Sequence, residues 1–477
     1  MSLLLQQGLG AVFMLAFAAA LHQFGPLLSD RGLLPISRWL EGRTFAQAPS
    51  LFHGRYSDRL YRQVCGLGLL LSLLAASGWL ERGPVLLCTG GWLLLTFLYL
   101  SLVNVGQRFY GFGWESMLVE AGFFTAFLGP GWMRPGPAAV LGLRWMLLRT
   151  ELGAGLIKLR HDRCWRDLTC LYYHYETQPV PNGLSWYFHR LPRWFHRLGV
   201  LGSHLVQVVV PFGLFLPQPL ATWAGLAIIA HQGWLIASGN YAWLNWLTVV
   251  LAFSAFPGPA GAVRPLWWEL VQLALLLFTV KLSHKPFLNL TRKTQLMNAS
   301  FNNWRLVNAY GAFGSVSRER YEVVLQGSSE LFPQVAEDWR EYEFWAKPGD
   351  PARCPPQIAP YHLRLDWVIW FLPLGLPLAM VSADTPERRL AWRYESWFVQ
   401  FMNGLLENDP GLTGLLRTNP FGGGKGPRTV RALIFHYRYT TAAERRASGR
   451  WWVRTQVGVY LPDFHGDLGG SSRAQRS

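Results

Sequence analysis

Long apolar stretches dominate residues 1–285 and most constrain the fold, because a helix needs about 20 mostly apolar residues to cross a bilayer. Only 15% of the residues are charged, against about 25% in a typical soluble protein. The sequence therefore predicts a polytopic α-helical membrane bundle of about nine spans within residues 1–285. The predicted spans are 3–22, 64–80, 84–103, 114–132, 137–158, 198–216, 219–237, 241–257 and 265–282.

The net charge is strongly positive, +16 at neutral pH, and a basic protein of this kind raises nucleic acid as a partner. The basic residues, however, form no compact stripe and no known nucleic-acid module. They lie in loops beside the apolar stretches, where arginine side chains meet lipid headgroups. We therefore predict membrane lipid as a partner and no nucleic acid.

Several ionisable side chains fall inside the predicted spans, where each is costly unless it is paired. Arg144, Glu151 and Lys158 recur at intervals of seven residues, which places them on one face of the fifth span. Two interpretations stay open: ion pairs and hydrogen bonds that stabilise the bundle, or a polar cavity that holds a substrate or client segment. The other intramembrane polar residues singled out are Glu115, Glu120, His204, Gln207, His231 and Gln232.

Lys158 is the most informative of these residues, since it is the only lysine before residue 281. It ends an apolar run, so one interpretation is a side chain that extends to the membrane surface. The other is a buried lysine that acts as a base or a cation site. Lys158 and Glu151 are therefore the candidate catalytic residues, and no catalytic role is assigned.

The loop 159–197 alternates aromatic and basic residues, which is typical of a segment at the membrane interface. We predict an amphipathic helix over 184–197 that lies in the interface, with Trp186 and Trp194 in lipid. The residues expected to contact a client protein or the interface are Trp165, Tyr172, Tyr173, His174, Tyr175, Trp186, Phe188 and Trp194.

Cys164 and Cys170 lie six residues apart in this loop. They form either a local disulfide, which needs an oxidising compartment, or free thiols. Together with His161 and His174 they match no closed zinc site, so we predict no metal site, and no cofactor is predicted. The positive-inside rule makes this side of the membrane cytoplasmic, whereas a disulfide puts the loop on the export side, and the residues alone leave both open.

Residues 286–477 read as a soluble C-terminal domain, since several segments alternate polar and apolar residues as strands do. We predict an antiparallel β-sandwich-like α+β domain with a helix over 387–408, where apolar residues recur at the helical period. This half contains no Gly-x-Ser-x-Gly motif, so it is not a lipase of the usual hydrolase type. The predicted strands are 304–309, 319–326, 339–346, 428–440 and 450–460.

The loop sequence CWRDLTCLYYHYETQPVPNGLSWYFHRLP closely resembles the lipase maturation factor family. Further stretches with the same likeness are GFGWESMLVEAGF (111–123), SGNYAWLN (238–245) and VNAYGAFGSVSRERYEVVLQG (307–327). In animals this family consists of polytopic proteins of the endoplasmic reticulum membrane that help dimeric secreted lipases fold and assemble. The resemblance implies a membrane-bound maturation factor, a chaperone-like role, for secreted lipases or related exported proteins.

The same resemblance implies a location and a topology. Family members place the C-terminal domain in the lumen, which favours an extracytoplasmic position for 286–477 and for the cysteine pair. The endoplasmic reticulum membrane is the expected compartment by family. The preference for arginine over lysine suggests a bacterial chain, for which the inner membrane is expected, with a different exported client.

A fainter resemblance concerns the sequence AGLIKL (154–159) followed by Trp165. It is similar to a motif of the vitamin K-dependent carboxylase family, in which a lysine at this place acts as a base. This implies an alternative function, a membrane enzyme acting on a lipid-soluble quinone or a lipid, with Lys158 as base and Glu151 as its partner. We favour the folding factor over the enzyme, because no other part of a carboxylase site is recognisable.

Overall fold

The computed structural model describes residues 1–258, 260–375 and 394–466, with helices in the N-terminal part and an antiparallel sheet in the C-terminal part. The helices are α1 (Ser2–Leu28), α2 (Ile36–Leu40), α3 (Asp58–Ala76), α4 (Val85–Val105), α5 (Gly113–Thr125), α6 (Pro137–Arg160), α7 (Arg163–Arg166), α8 (Leu171–Thr177), α9 (Ser185–His189), α10 (Arg193–His204), α11 (Leu220–Ser238), α12 (Leu244–Ala252), α13 (Leu266–Thr291), α14 (Arg364–Trp370), α15 (Ser396–Leu406), α16 (Pro410–Thr413) and α17 (Ala442–Ser448). The strands are β1 (Arg320–Ser328), β2 (Trp339–Glu341), β3 (Thr429–Tyr439) and β4 (Trp452–Phe464).

Within the described part of the chain, five helical segments are long and apolar enough to cross a membrane. The count of nine spans is therefore not confirmed: α5 has 13 residues and α12 has nine, and the longer α3 and α6 carry charged residues. The five segments are Ser2–Leu28, Val85–Val105, Arg193–Phe215, Leu220–Ser238 and Leu266–Thr291.

The segment Arg193–Phe215 corrects the helix predicted over 184–197. Pro192 separates α9 from α10, because proline lacks the N–H that a continuous helix needs. α10 then continues through one π-helical turn, Leu205–Val209, and a 3-10 turn, Val210–Phe215. Pro211 has no N–H for the carbonyl of Gln207, which accounts for the irregular hydrogen bonding at this point.

The four strands form one antiparallel sheet in the order β2-β1-β3-β4, with Val323 opposite Ile434. One face packs against α15 through Phe401 and Ile434. The other face holds Leu433 and Phe435 together with Trp186 of the loop. The described residues thus contain a single sheet covered on both faces, not a two-sheet sandwich.

Two of the predicted strands differ in the structure. Residues 304–309 form no strand, because Arg305 and Val307 adopt a left-handed backbone with φ near 52°, which a strand does not accommodate. Of the strand predicted at 339–346, only Trp339–Glu341 belongs to the sheet as a strand, and Glu343 forms an isolated bridge with Thr418. The helix predicted over 387–408 is observed as α15, and its positions 387–393 lie outside the described residues.

The helical part and the sheet part share one buried hydrophobic cluster. It joins Phe13 and Tyr99 of the helices to Trp367 of α14 and to Phe401 of α15. The connecting segment around residues 295–315 also packs on the helices, since Gln295 Nε2 donates to the carbonyl oxygen of Gly153 at 2.9 Å. The sheet is therefore held against the bundle by packing as well as by the chain connection.

Candidate functional site

A cavity of about 890 Å³ lies between the helices and the segments that lead to the sheet. Its wall is mostly apolar and aromatic, and it is built from both parts of the chain: α6, α8, α10, α11, the segment 310–315 and α14. Cavities of roughly 300–1,000 Å³ with a few polar groups are typical of small-molecule sites. This cavity is therefore the main candidate site in the described residues.

Helix α6 brings two charged side chains to the cavity, Glu151 and Lys158. Glycines on the same stretch allow close neighbours. A Cβ atom on Gly153 would lie 2.2 Å from the carbonyl oxygen of Tyr310, and one on Gly155 would lie 2.7 Å from Val208 Cγ2. These glycines therefore let the segment 310–315 and the π-helical turn Leu205–Val209 pack directly on α6.

Lys158 is 5% exposed, so it does not extend to the membrane surface. Its ammonium group donates to Gln207 Oε1 at 2.8 Å, and Gln207 lies in the π-helical turn. The same Nζ lies 4.8 Å from the ring centroid of Trp165, a favourable cation–π distance. The irregular turn after α10 thus places the partner of this buried cation.

Glu151 is 1% exposed, and its Oε1 accepts from Gln232 Nε2 at 2.6 Å. Its second oxygen, Oε2, has no hydrogen-bond partner in the described residues. Two atoms of neighbouring residues in the cavity wall, Gln232 Oε1 and His231 Nδ1, are likewise buried without a hydrogen-bond partner in the described residues. Buried polar atoms are normally satisfied, so these three indicate where a polar group of a ligand would sit.

Three of the predicted loop residues form the cavity wall instead of an exposed surface. Trp165 is buried, and its Nε1 donates to the carbonyl oxygen of Phe313 at 2.8 Å. His174 Nε2 is hydrogen-bonded to the hydroxyl of Tyr241 at 3.0 Å. Tyr175 is also buried and lines the same space.

The remaining predicted loop residues are dispersed. Trp186 is buried against the sheet, where its Nε1 donates to the carbonyl oxygen of Thr440 at 3.0 Å, so its predicted place in lipid is wrong. Trp194 is 63% exposed at the start of α10, consistent with an interfacial position. The other three are half-buried: Tyr172, Tyr173 and Phe188.

Cys164 and Cys170 form a disulfide that packs with Trp165 and Val316. The neighbouring Asp162 accepts from Arg318 Nη2 at 2.8 Å. The pair therefore fastens the start of the loop to the segment that enters β1. Disulfide formation leaves no thiolate on these two sulfurs for a metal ion.

Of the other predicted intramembrane polar residues, Gln207, His231 and Gln232 line the cavity, whereas Arg144 and His204 are hydrogen-bonded outside it. Arg144 donates to the carbonyl oxygens of Ser254 at 2.9 Å and Leu214 at 3.0 Å. His204 Nε2 lies 3.0 Å from the carbonyl oxygen of Trp165. The seven-residue stripe on α6 is therefore divided: Glu151 and Lys158 line the cavity, whereas Arg144 connects helices.

Glu115 and Glu120 form buried ion pairs. Glu120 pairs with Arg149 and accepts from the backbone N–H of Asn308 at 2.8 Å. Glu115 pairs with Arg364 at 2.6 Å. Sequence reasoning missed these three partners, although Arg149 lies in the fifth predicted span and the criterion of a charge inside a span identifies it.

Comparisons with known proteins agree along the chain. The chain matches the family model described as the lipase maturation factor transmembrane domain over residues 1–260, and the lipase maturation factor C-terminal domain over residues 306–462. It is similar to a Bos taurus protein named lipase maturation factor 1, at 38% identity over 96% of this chain and 88% of the relative.

The human protein of the same name is 38% identical over 96% of this chain and 87% of its own length. A Gallus gallus protein named lipase maturation factor 2 is 27% identical over 95% of this chain and 80% of its own length. No solved structure matches the chain.

Proposed function

This chain belongs to the lipase maturation factor family, and from that premise we propose that it is a membrane-bound maturation factor for secreted lipases or related exported proteins. The observation that carries the proposal is the 38% identity to lipase maturation factor 1 over 96% of the chain. Both the membrane part and the C-terminal part contribute to this match.

The way in which the sheet is attached supports this role. The sheet part is fixed to the bundle by the buried ion pair of Arg364 with Glu115 and by the hydrogen bond of Trp186 to Thr440. A folding factor gains from such rigidity, because a surface held in place at the membrane contacts an emerging client without an ordering cost. Trp194 and the half-buried Tyr172, Tyr173 and Phe188 are the predicted client contacts that remain accessible.

The disulfide supports one topology over the other. Cys164 and Cys170 pack directly against Val316, so the loop and the entry to the sheet lie on one side of the membrane. Disulfides persist in oxidising compartments, which supports an extracytoplasmic C-terminal domain. We propose the endoplasmic reticulum membrane for a eukaryotic chain and the inner membrane for a bacterial one.

The enzyme alternative is not favoured, because the similar proteins are named for lipase maturation. The two functions differ in what the protein acts on. A maturation factor changes the folded state of a client protein, whereas an enzyme chemically changes a small molecule.

Deletion of the gene in its own organism tests the proposal. We expect the activity per milligram of at least one secreted hydrolase to fall while the amount synthesised stays the same. Re-expression of the chain should restore it. Unchanged specific activity across the secreted hydrolases would contradict the proposed function in that organism.

A further inference from the structure

The cavity beside α6 opens toward the apolar outside of the protein. Leu198 and Ala230 line it, and both side chains are exposed. Each belongs to a segment that is long and apolar enough to cross a membrane, Arg193–Phe215 and Leu220–Ser238. A molecule dissolved in the bilayer therefore has lateral access to the cavity between these two segments.

The inner wall suits an extended hydrocarbon chain. The aromatic residues on this wall come from α10, from α11, from the segment 310–315, and from α14 with the residue that follows it. An apolar ligand would therefore be surrounded on several sides. A volume of about 890 Å³ suits a drug-sized molecule, comparable to a lipid with one chain and a small head. The aromatic wall includes Phe195, Trp234, Phe313, Trp367, Trp370 and Phe371.

The polar end of the cavity, at Glu151 and Gln232, determines which lipid headgroup fits. Glu151 Oε2 and Gln232 Oε1 are acceptors without a partner in the described residues, so a head that donates hydrogen bonds satisfies them. Lys158 stands two helical turns away on the same wall and carries the opposite charge to Glu151. A head with a net charge of either sign is attracted by one of these two residues and repelled by the other, so the wall favours an uncharged donor such as a hydroxyl.

We propose that this cavity binds one uncharged single-chain lipid whose head carries hydroxyl groups, with its chain among the aromatic residues and its head at Glu151 and Gln232. Such a ligand is a monoacylglycerol or a long-chain alcohol. The proposal is independent of the maturation role, because it concerns only what occupies the bundle.

Saturation binding of tritiated 1-monooleoylglycerol to the full chain in phosphatidylcholine nanodiscs tests the proposal. We expect one saturable site per chain. Oleic acid and oleylamine share the same chain length with charged heads, and we expect each to compete at least tenfold less well than unlabelled monooleoylglycerol. Binding that never saturates, or equal competition by the three compounds, would overturn the assignment.

Two variants on α11 form a matched pair. Ala227 lines the cavity, whereas its neighbour Leu226 is 40% exposed on the outer face. We expect Ala227→Trp to abolish saturable binding and Leu226→Trp to keep it. Retained binding in Ala227→Trp would overturn the location.

The isosteric change Glu151→Gln tests the head position without altering the volume. Loss of a charged acceptor should weaken monooleoylglycerol binding roughly tenfold. Unaltered affinity would overturn the placement of the head at Glu151. Because the competition between head groups uses the wild-type protein, the proposal stays falsifiable even where a variant does not assemble.

Discussion

Arg364 Nη1 donates to Glu115 Oε1 at 2.6 Å, and these two side chains are 1% and 0% exposed. They lie 249 residues apart in the sequence, so the pair joins α5 of the bundle to the N-terminal end of α14. Tyr99 donates a second hydrogen bond to the same carboxylate, and His362 Nδ1 lies 3.5 Å from it. A carboxylate predicted inside a membrane span is thus neutralised by a residue of the C-terminal half.

Removing one member of this pair should strongly destabilise the protein. Arg364→Met leaves Glu115 charged and buried without its main partner, which typically costs about 3–5 kcal/mol. We expect a much lower midpoint of thermal unfolding in detergent and poor yield of the monodisperse protein. The double variant Glu115→Leu with Arg364→Met should recover part of the loss, because no buried charge remains.

The exposed pair Arg108–Glu395 is the matched control, since its side chains are 47% and 43% exposed. It also joins the two halves of the chain, and Arg108→Ala should change the free energy of unfolding by about 1 kcal/mol or less. Equal losses in Arg108→Ala and Arg364→Met would contradict the role assigned to the buried pair.

Trp186 and Trp194 should respond differently to truncation, although both belong to one aromatic loop. Trp186 is 7% exposed and packs on the sheet, so Trp186→Ala should cost about 3–5 kcal/mol of stability. Trp194 is 63% exposed, and Trp194→Ala should leave stability within about 0.5 kcal/mol. Denaturant unfolding of the two variants side by side measures the difference, and a stable Trp186→Ala protein would refute the packing of Trp186 on the sheet.

The contact between Asp162 and Arg318 should depend on pH. Burial alone would raise the pKa of Asp162, but hydrogen bonds from Arg318 and from the backbone N–H groups of Cys164 and Val316 outweigh it and hold the pKa below its ordinary value of 3.8. Because the folded pKa is the lower one, the stabilisation is complete above the ordinary pKa and is lost as the pH falls through the folded pKa.

The variant Asp162→Asn makes this measurable. At neutral pH it should lose up to about 1 kcal/mol, because it removes the charge that pairs with Arg318, whereas asparagine caps α7 as well as aspartate does. The difference in thermal midpoint between wild type and Asp162→Asn should shrink as the pH is lowered below 3.8. A difference that stays constant from neutral pH to pH 3 would show that the charge of Asp162 does not contribute.

Cys354 reports the side of the membrane on which the C-terminal half lies. It is the exposed free cysteine of the described chain, whereas Cys65 and Cys88 are buried. For a bacterial host we expect a membrane-impermeant maleimide to label Cys354 in right-side-out spheroplasts without prior permeabilisation. Cys354→Ser should abolish the signal, and labelling confined to inverted vesicles would reverse the proposed topology.

The sequence predicted the helical membrane part and the antiparallel sheet because both depend on local patterns. Apolar runs indicated the five segments that the structure has, and alternation indicated β1, β3 and β4. The span count differed because hydropathy alone does not distinguish a helix that faces lipid from one that is short or enclosed. α5 is such an enclosed helix, with Glu115 and Glu120 fully buried.

The site was predictable only in part. The seven-residue spacing of Glu151 and Lys158 predicted that they share one face of α6, and both residues line the cavity. Arg364, the partner of Glu115, lies 249 residues away in the sequence, and Asn308, one partner of Glu120, lies 188 residues away. No local pattern encodes such pairings. The amphipathic pattern around Trp186 suggested lipid, because a sheet face and a bilayer present the same apolar chemistry to an indole ring.

The most direct test of the maturation role is complementation. A cell line that lacks its own lipase maturation factor is made to secrete a lipase, with or without this chain, and lipase activity is divided by secreted lipase mass. We predict that the chain raises this specific activity several-fold while lipase mRNA stays constant. Specific activity that remains at the level of the empty vector, with the chain correctly inserted in the membrane, would contradict the account.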